Sequence, residues 1–332
     1  MMKIVENIKK NTIILLIITI IVLYFVLKDD FAGIMKSISN INPIFIIMAI
    51  ILFLTSVCIK GYVNYLIIND KEKVGINEAI KQNFIAQFFN GITPFQTGGE
   101  PVGVYMLMER GIPIAKATNY MVKSFIFYQI PLVLCGFIAV VYNLIFKIFP
   151  KVELLQHLVL IGFAINIVVV MLLLFSYSKV LTTKMSKIAI KINKKLKLNM
   201  TDETIEKKFN EYHLGFEELK ERKNLMITGI LLNMIGLVCL YSVPFCIICG
   251  IGEASNISYM DALVSSAYVY LIGAFVPVPG ASGGIEYGFS QFFGNFITSS
   301  NLSAVLIVWR FITYYCGIIT GAIIFNIREK VK

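Results

Sequence analysis

The chain has 332 residues, of which 57% are hydrophobic and 15% are charged, and its mean hydropathy is +0.78. Soluble domains are about 45–50% apolar and about 25% charged, so this composition excludes an ordinary soluble enzyme and indicates an integral membrane protein. The formal net charge of +10 would suggest nucleic acid in a soluble protein, but in a membrane protein it marks cytoplasmic loops. We therefore expect no nucleic-acid partner.

Six apolar runs are long enough to cross a membrane as helices. The first run follows basic residues and lacks a small-residue cleavage site, so we expect a retained helix and not a signal peptide. The predicted crossings are Ile13–Leu27, Pro43–Ile68, Ala117–Phe146, Leu154–Phe175, Leu225–Gly250 and Leu302–Phe325.

Two further apolar segments, Ala79–Met108 and Ala262–Phe296, are interrupted by prolines and glycines. Helix breaks at membrane depth are tolerated only where the freed backbone is buried in protein or lines a cavity. Each segment is therefore predicted to form a re-entrant helical hairpin. We expect the functional site at these two hairpins.

Lysine and arginine set the predicted orientation. The N-terminus, the segment 176–224 and the C-terminus from Arg328 onward are all basic, so all three are expected on the cytoplasmic side. Within 176–224, apolar residues recur at helical spacing from Ile205 to Leu219. This spacing predicts an amphipathic helix that lies on the inner leaflet or covers the bundle, with a solvated linker as the alternative.

The two hairpins share one residue pattern. The first reads Pro94-x-x-Thr97-Gly98-Gly99-x-x-x-Gly103, and the second repeats it 185 residues later as Pro279-x-x-Ser282-Gly283-Gly284-x-x-x-Gly288. The flanking apolar runs follow the same offset, and the loop charges orient the two units oppositely. The sequence therefore predicts a single all-α polytopic membrane domain over 1–332, with inverted repeats of helix, broken hairpin and helix at 43–146 and 225–327. Such inverted repeats are typical of secondary transporters, and a chance match of glycine-rich segments is the alternative.

The hairpin tips are predicted to bind an anionic group. Backbone N–H groups at a helix start attract phosphate or carboxylate, and glycine lets a ligand approach closely. Acidic and basic residues at membrane depth normally face a cavity and pair, so a phospholipid headgroup could exchange with these partners. Salt bridges that only pin the hairpins are the alternative. The candidate substrate-binding residues are Thr97, Gly98, Gly99, Glu100, Lys123, Ser282, Gly283, Gly284, Glu286 and Arg310.

Catalytic and metal-binding motifs are missing from the sequence. It contains no Ser-His-Asp set, phosphate-binding P-loop or zinc motif, and its six cysteines lie in apolar runs, where they behave as small hydrophobes. We therefore expect no catalytic residue, no metal and no cofactor.

The segments Phe89–Pro101 and Pro277–Gly288, followed by Trp309, Arg310 and Tyr314, resemble the transmembrane region of lysylphosphatidylglycerol synthases. This region is the membrane half of the multiple peptide resistance factor, and the resemblance covers nearly the entire chain. It implies a multi-pass protein of a bacterial plasma membrane. In full-length members, the membrane domain moves aminoacylated phosphatidylglycerol to the outer leaflet, and a separate cytosolic domain transfers lysine from lysyl-tRNA.

The resemblance implies a flippase-type transporter of lysyl- or aminoacyl-phosphatidylglycerol that contributes to resistance to cationic antimicrobial peptides. Because only Arg328–Lys332 follow the last predicted helix, we expect no transferase activity from this chain alone and expect a separate aminoacyl-lipid synthase as a partner. Two alternatives stay open, namely phosphatidylglycerol lysyltransferase activity and carriage of a polyprenyl phosphate or glycolipid. Homo-oligomer formation is also left open.

Overall fold

This computed structural model describes residues 30–69, 72–149, 153–175, 178–195, 201–273 and 276–331. All regular elements within these residues are helical. The predicted crossing Ile13–Leu27 lies outside the described residues. The helices of the first half are α1 (Phe31–Ser39), α2 (Pro43–Ile68), α3 (Ile76–Ile92), α4 (Gly99–Met108), α5 (Ile114–Phe146) and α6 (Glu153–Phe175).

Two helices, α7 (Lys179–Lys195) and α8 (Asp202–Glu221), occupy the basic segment between the halves. The predicted amphipathic helix falls in α8, which packs on α5 and buries Ile205. A π-helical turn, Phe311–Tyr315, joins the last two helices of the second half. The helices of that half are α9 (Lys223–Ile251), α10 (Tyr259–Gly273), α11 (Gly284–Phe293), α12 (Ser299–Arg310) and α13 (Cys316–Val331).

Four helical stretches in the described residues are long and apolar enough to cross a membrane, namely α2, α5, α9 and Ser299–Arg328. A shorter apolar stretch, His157–Met171, lies in α6. The outer face of α2 exposes Ile44, Ile47 and Ile51 by 56% to 63%. Such a face is unfavourable in water but compatible with lipid chains, because helices satisfy their own backbone hydrogen bonds. The fold is therefore that of an all-helical, polytopic membrane protein.

Both interrupted segments fold back on themselves as antiparallel helix pairs. Gly103 on α4 lies against Gln82 on α3, and Gly288 on α11 lies against Ile272 on α10. Short 3-10 turns join the helices of each pair, and we call Pro94–Gln96 the first tip and Pro279–Ala281 the second tip. Proline begins each turn because it lacks the amide hydrogen that a continuing helix would need. Each 3-10 turn therefore begins at the proline of the shared motif.

The two hairpins start from opposite ends of the bundle. Helix α5 begins shortly after α4 ends, at the base of the first hairpin, and runs for 33 residues. Near its far end, the Tyr142 hydroxyl donates to Asp261 at the base of the second hairpin (3.1 Å). The first and second tips contact each other between these ends.

Helix bounds in the two halves correspond at an offset of 185 residues. The two tips, the pair α4 and α11, and the pair α5 and Ser299–Val331 each begin and end 185 residues apart. Helices α2 and α9, which precede the hairpins, pack along each other. The backbone therefore breaks and resumes at corresponding positions in both halves.

Candidate functional site

Each tip contains two consecutive residues with a left-handed backbone. The φ angle is +54° at Phe95 and at Gln96, +63° at Gly280 and +52° at Ala281. Residues with a Cβ adopt this conformation only at a cost, and such strained positions cluster at ligand clamps and switch regions. The contact between the two tips is therefore the first candidate for a functional site.

Side chains of the first hairpin cap its own second helix. The Gly98 amide donates to Thr93 Oγ1 (2.9 Å), and the Gly99 amide donates to Asn90 Oδ1 (2.6 Å). The sequence-based hypothesis required unpaired amides at this helix start. In the structure these two donors are already occupied, so an anion would have to displace a side chain to reach them.

Arg310 connects α12 to the second tip. Its Nε and Nη2 lie 2.7 Å and 2.6 Å from Glu286 Oε1, and Nη2 also donates to the Gly280 carbonyl (3.1 Å). The other carboxylate oxygen of Glu286 accepts from the Gly283 amide (2.6 Å). The side chains of Arg310 and Glu286 are only 9% and 12% exposed. The predicted pairing of these two residues is therefore present, and their charges neutralise each other.

Tyr314, in the π-helical turn, contacts both hairpins. Its hydroxyl donates to the Gly91 carbonyl at the end of α3 (2.8 Å), and the Arg310 guanidinium lies 4.7 Å from its ring centroid. A Cβ at Gly280 would overlap the Tyr314 ring and hydroxyl, so glycine allows the second tip to approach this closely. Single π-helical turns are frequent at functional sites, and this one positions a side chain between the hairpins.

A cavity of about 110 Å³ lies beside the tips, between the two halves. One face of α2 and one face of α9 line it, each with residues at steps of three, four and seven, which is the spacing of a single helix face. Most of its polar side chains are amides, hydroxyls or bases. The lining residues are Phe53, Ser56, Val57, Lys60, Gln87, Asn90, Gly91, Gln96, Tyr128, Asn233, Gly236, Leu237, Leu240, Tyr270, Ile285, Trp309, Arg310, Thr313 and Tyr314.

Lys60 gives this cavity a net positive charge. Its Nζ lies 4.4 Å from the Tyr128 ring centroid, and it forms no salt bridge with any residue that the structure describes. The other charged residue in the lining, Arg310, is neutralised by Glu286. The buried Trp309 side chain has an indole N–H without a hydrogen-bond partner among the described residues, which is costly inside a protein. The cavity therefore presents positive charge and hydrogen-bond donors, which suit an anionic group.

Three predicted residues lie at the tips or near the cavity without lining it. Ser282 is buried next to the second tip, whereas Thr97 is exposed and its hydroxyl donates to the Pro94 carbonyl (3.1 Å). Glu100 is half-buried in the first turn of α4, close to Tyr128. It forms no salt bridge with a described residue.

Lys123 lies away from the cavity lining. It is buried, with its Nζ 5.8 Å from the Tyr120 ring centroid. Tyr128, which does line the cavity, follows five residues later and is therefore rotated by about 140° around α5. Lys123 and Glu100 form no salt bridge with each other, although the sequence suggested that acidic and basic residues at membrane depth pair.

Sequence reasoning missed Lys60, although a signal was present. Lys60 is the sole charged residue of the apolar run Pro43–Ile68, and an isolated charge in such a run normally faces a cavity. It also overlooked Tyr128, whose position in the lining depends on the rotation of α5. In the described part of the chain, no three acidic, histidine or cysteine residues group in a way that could hold a metal ion.

Comparison with known families shows the family to which this chain belongs. The family model of the lysylphosphatidylglycerol synthase transmembrane region matches residues 12–321. The chain belongs to this family. The match includes both hairpins, both tips and every residue that lines the cavity. The resemblance seen in the sequence is thus confirmed.

A relative from Archaeoglobus fulgidus, described as a UPF0104 membrane protein, is 23% identical over 281 residues. The aligned region covers 76% of this chain and 77% of the relative. Because the region covers most of both proteins, the similarity concerns the membrane domain as a whole and not a local motif.

Proposed function

We propose that this protein is a flippase-type transporter that moves phosphatidylglycerol, in lysylated or otherwise aminoacylated form, to the outer leaflet of a bacterial plasma membrane. The observation that carries the proposal is the positively charged cavity beside the meeting point of two broken hairpins. A lipid flippase needs a polar chamber of this kind between apolar helices, because a headgroup cannot cross hydrocarbon unaided.

The proposed topology has six crossings, two re-entrant hairpins and both termini in the cytoplasm. Corresponding helix bounds and hairpins that start from opposite ends support an inverted repeat. One end of the bundle holds Glu109 paired with Arg328 (2.7 Å) and Glu72 paired with Lys116 (3.4 Å), together with the basic helix α7 and with α8. An excess of Lys and Arg at this end favours a cytoplasmic location for it.

The cavity size fits the phosphate and glycerol part of the headgroup and not a whole lipid. A water molecule needs about 10–15 Å³ by the same measure, so about 110 Å³ accommodates a phosphate with a small polyol. The acyl chains would stay in the bilayer beside apolar outer faces such as that of α2. Removing water from a phosphate and an ammonium costs several kcal/mol for each charge, and fixed donors and counter-charges in the cavity offset this cost.

An aminoacylated headgroup carries an ammonium as well as a phosphate. Glu100 is half-buried near Tyr128 and has no salt-bridge partner among the described residues, so it is available as a counter-charge. A separate synthase would supply the aminoacylated lipid. Export of this cationic lipid would reduce the negative surface charge of the cell, which supports a role in resistance to cationic antimicrobial peptides.

Purified protein in liposomes tests the proposal. We expect faster appearance of lysylphosphatidylglycerol in the outer leaflet, detected with an amine reagent that cannot cross the membrane. Ser56→Leu should slow this transfer because it fills the cavity. The matched variant Thr55→Leu changes the neighbouring half-buried residue, which does not line the cavity, and should transfer lipid normally. Equal rates in wild-type and protein-free liposomes for lysylated, alanylated and unmodified phosphatidylglycerol would refute the proposal.

A further inference from the structure

Lys60 occupies an unusual position for a charged side chain. It lies eight residues before the end of α2, about 12 Å along the helix from Ile68, and is therefore well inside the apolar span. Phe53, Ser56, Val57 and Lys60 share the helix face that lines the cavity. A charge at this depth is costly unless it faces a polar cavity and finds a counter-charge. The fold supplies the cavity, but no acidic side chain among the described residues forms a salt bridge with Lys60.

The two basic residues of the cavity differ in how far their charge is satisfied. The Arg310 guanidinium forms a salt bridge with the Glu286 carboxylate and donates a hydrogen bond to the Gly280 carbonyl. Lys60 has the Tyr128 ring at 4.4 Å, and this cation–π contact leaves the ammonium hydrogens able to donate elsewhere. An anion entering the cavity would therefore meet an ammonium at Lys60 that forms no salt bridge with a described residue, and an already neutral ion pair at Arg310.

We infer that Lys60 is the residue that binds the phosphodiester of the lipid headgroup, while Arg310 holds the second tip in place. This inference rests on the proposed function. A phosphodiester carries one negative charge, which a single ammonium neutralises. The amide side chains of Gln87 and Gln96 provide further donors around it.

The position of Trp309 allows a direct binding assay. It is the single tryptophan of the chain and lines the same cavity as Lys60. Short-chain dihexanoyl-phosphatidylglycerol, titrated into purified full-length protein in detergent, should therefore change the intrinsic tryptophan fluorescence. Dihexanoylglycerol, which lacks the phosphate, should leave it unchanged. Inorganic phosphate tests whether a free anion suffices, and a response as strong as that to the lipid would overturn the headgroup assignment.

Lys60→Met tests the residue itself. Methionine keeps an unbranched side chain but removes the charge, so affinity for dihexanoyl-phosphatidylglycerol should fall by roughly tenfold or more, as expected for a lost charge-assisted hydrogen bond. Lys36→Met removes a charge from an exposed position on α1 and should bind like wild type. Thermal unfolding of Lys60→Met should occur no earlier than that of wild type, because a costly charge has been removed from the membrane span.

Failure of this inference can be told apart from failure of the proposed function. Wild-type affinity in Lys60→Met, or no fluorescence response of the wild-type protein to the short-chain lipid, would refute the role of Lys60. Liposome transfer by the wild-type protein would still support a flippase in that case. Conversely, Lys60-dependent binding without lipid transfer would support the phosphodiester site and contradict transport.

Discussion

Gly280 is the position where the structure makes the most specific demand on the sequence. Its φ of +63° places it in the left-handed region, and a Cβ there would overlap the Tyr314 ring. The corresponding residue of the first tip, Phe95, has a similar φ of +54° and nevertheless carries a large side chain. The backbone conformation alone therefore does not require glycine at this point of a tip. The nearby tyrosine does.

We predict that Gly280→Ala destabilises the protein by about 1.5–3.5 kcal/mol. The left-handed backbone contributes about 1–2 kcal/mol of this cost for a residue with a Cβ. Displacement of Tyr314 breaks its 2.8 Å hydrogen bond to the Gly91 carbonyl, which adds about 0.5–1.5 kcal/mol. The free energy of unfolding can be measured by equilibrium denaturation in mixed detergent micelles.

Gly252→Ala provides the matched control. Gly252 follows α9 with a φ of +88°, and nothing lies within 4 Å of a Cβ built there. This variant should therefore cost only the backbone component, about 1–2 kcal/mol. If Gly280→Ala destabilises the protein no more than Gly252→Ala does, the steric role of Tyr314 in holding the second tip is wrong.

Two further predictions concern the ion pair and the topology. Glu286→Gln should destabilise the protein by about 3–5 kcal/mol, because it leaves Arg310 buried without a counter-charge, and the same change should cost much less in an Arg310→Gln background. Equal costs in both backgrounds would show that the pair is not coupled. In a background without native cysteines, a cysteine at Asn40 should react only with reagent added outside, and one at Gly111 only with reagent inside. Outside labelling at Gly111 would contradict the proposed inverted repeat.

Properties that depend on local chemistry follow from the amino-acid sequence alone. Composition determined the membrane class, because too much apolar surface is present for a water-soluble core to bury. The prolines at 94 and 279 mark where the two 3-10 turns begin, because the fixed φ of proline suits the first position of a helical turn. The shared glycine motif likewise marked the positions where both halves resume a helix. These features depend on residues close together in the chain.

Which charged side chains face the cavity depends on the tertiary structure. Lys60 faces the cavity and Lys123 does not, because the rotation of each helix is set by packing against its neighbours. For example, Gly236 on α9 lies against Ile59 and the backbone of Ser56, and this contact holds the polar face of α2 toward the cavity. A rotation of about 100° separates successive residues of a helix, so small changes in packing select different faces.

Whether the backbone amides of the hairpins are already hydrogen-bonded could also not be predicted from the sequence. Glycine at a helix start predicts available N–H donors. In the folded protein, however, the Asn90 side chain accepts a hydrogen bond from the Gly99 amide, and the Glu286 side chain accepts one from the Gly283 amide. Asn90 lies nine residues before the amide that it caps, so the bond exists only because α3 and α4 fold into a hairpin. The sequence therefore determined where the backbone opens, and only the folded arrangement decided which donors and charges remain available to a ligand.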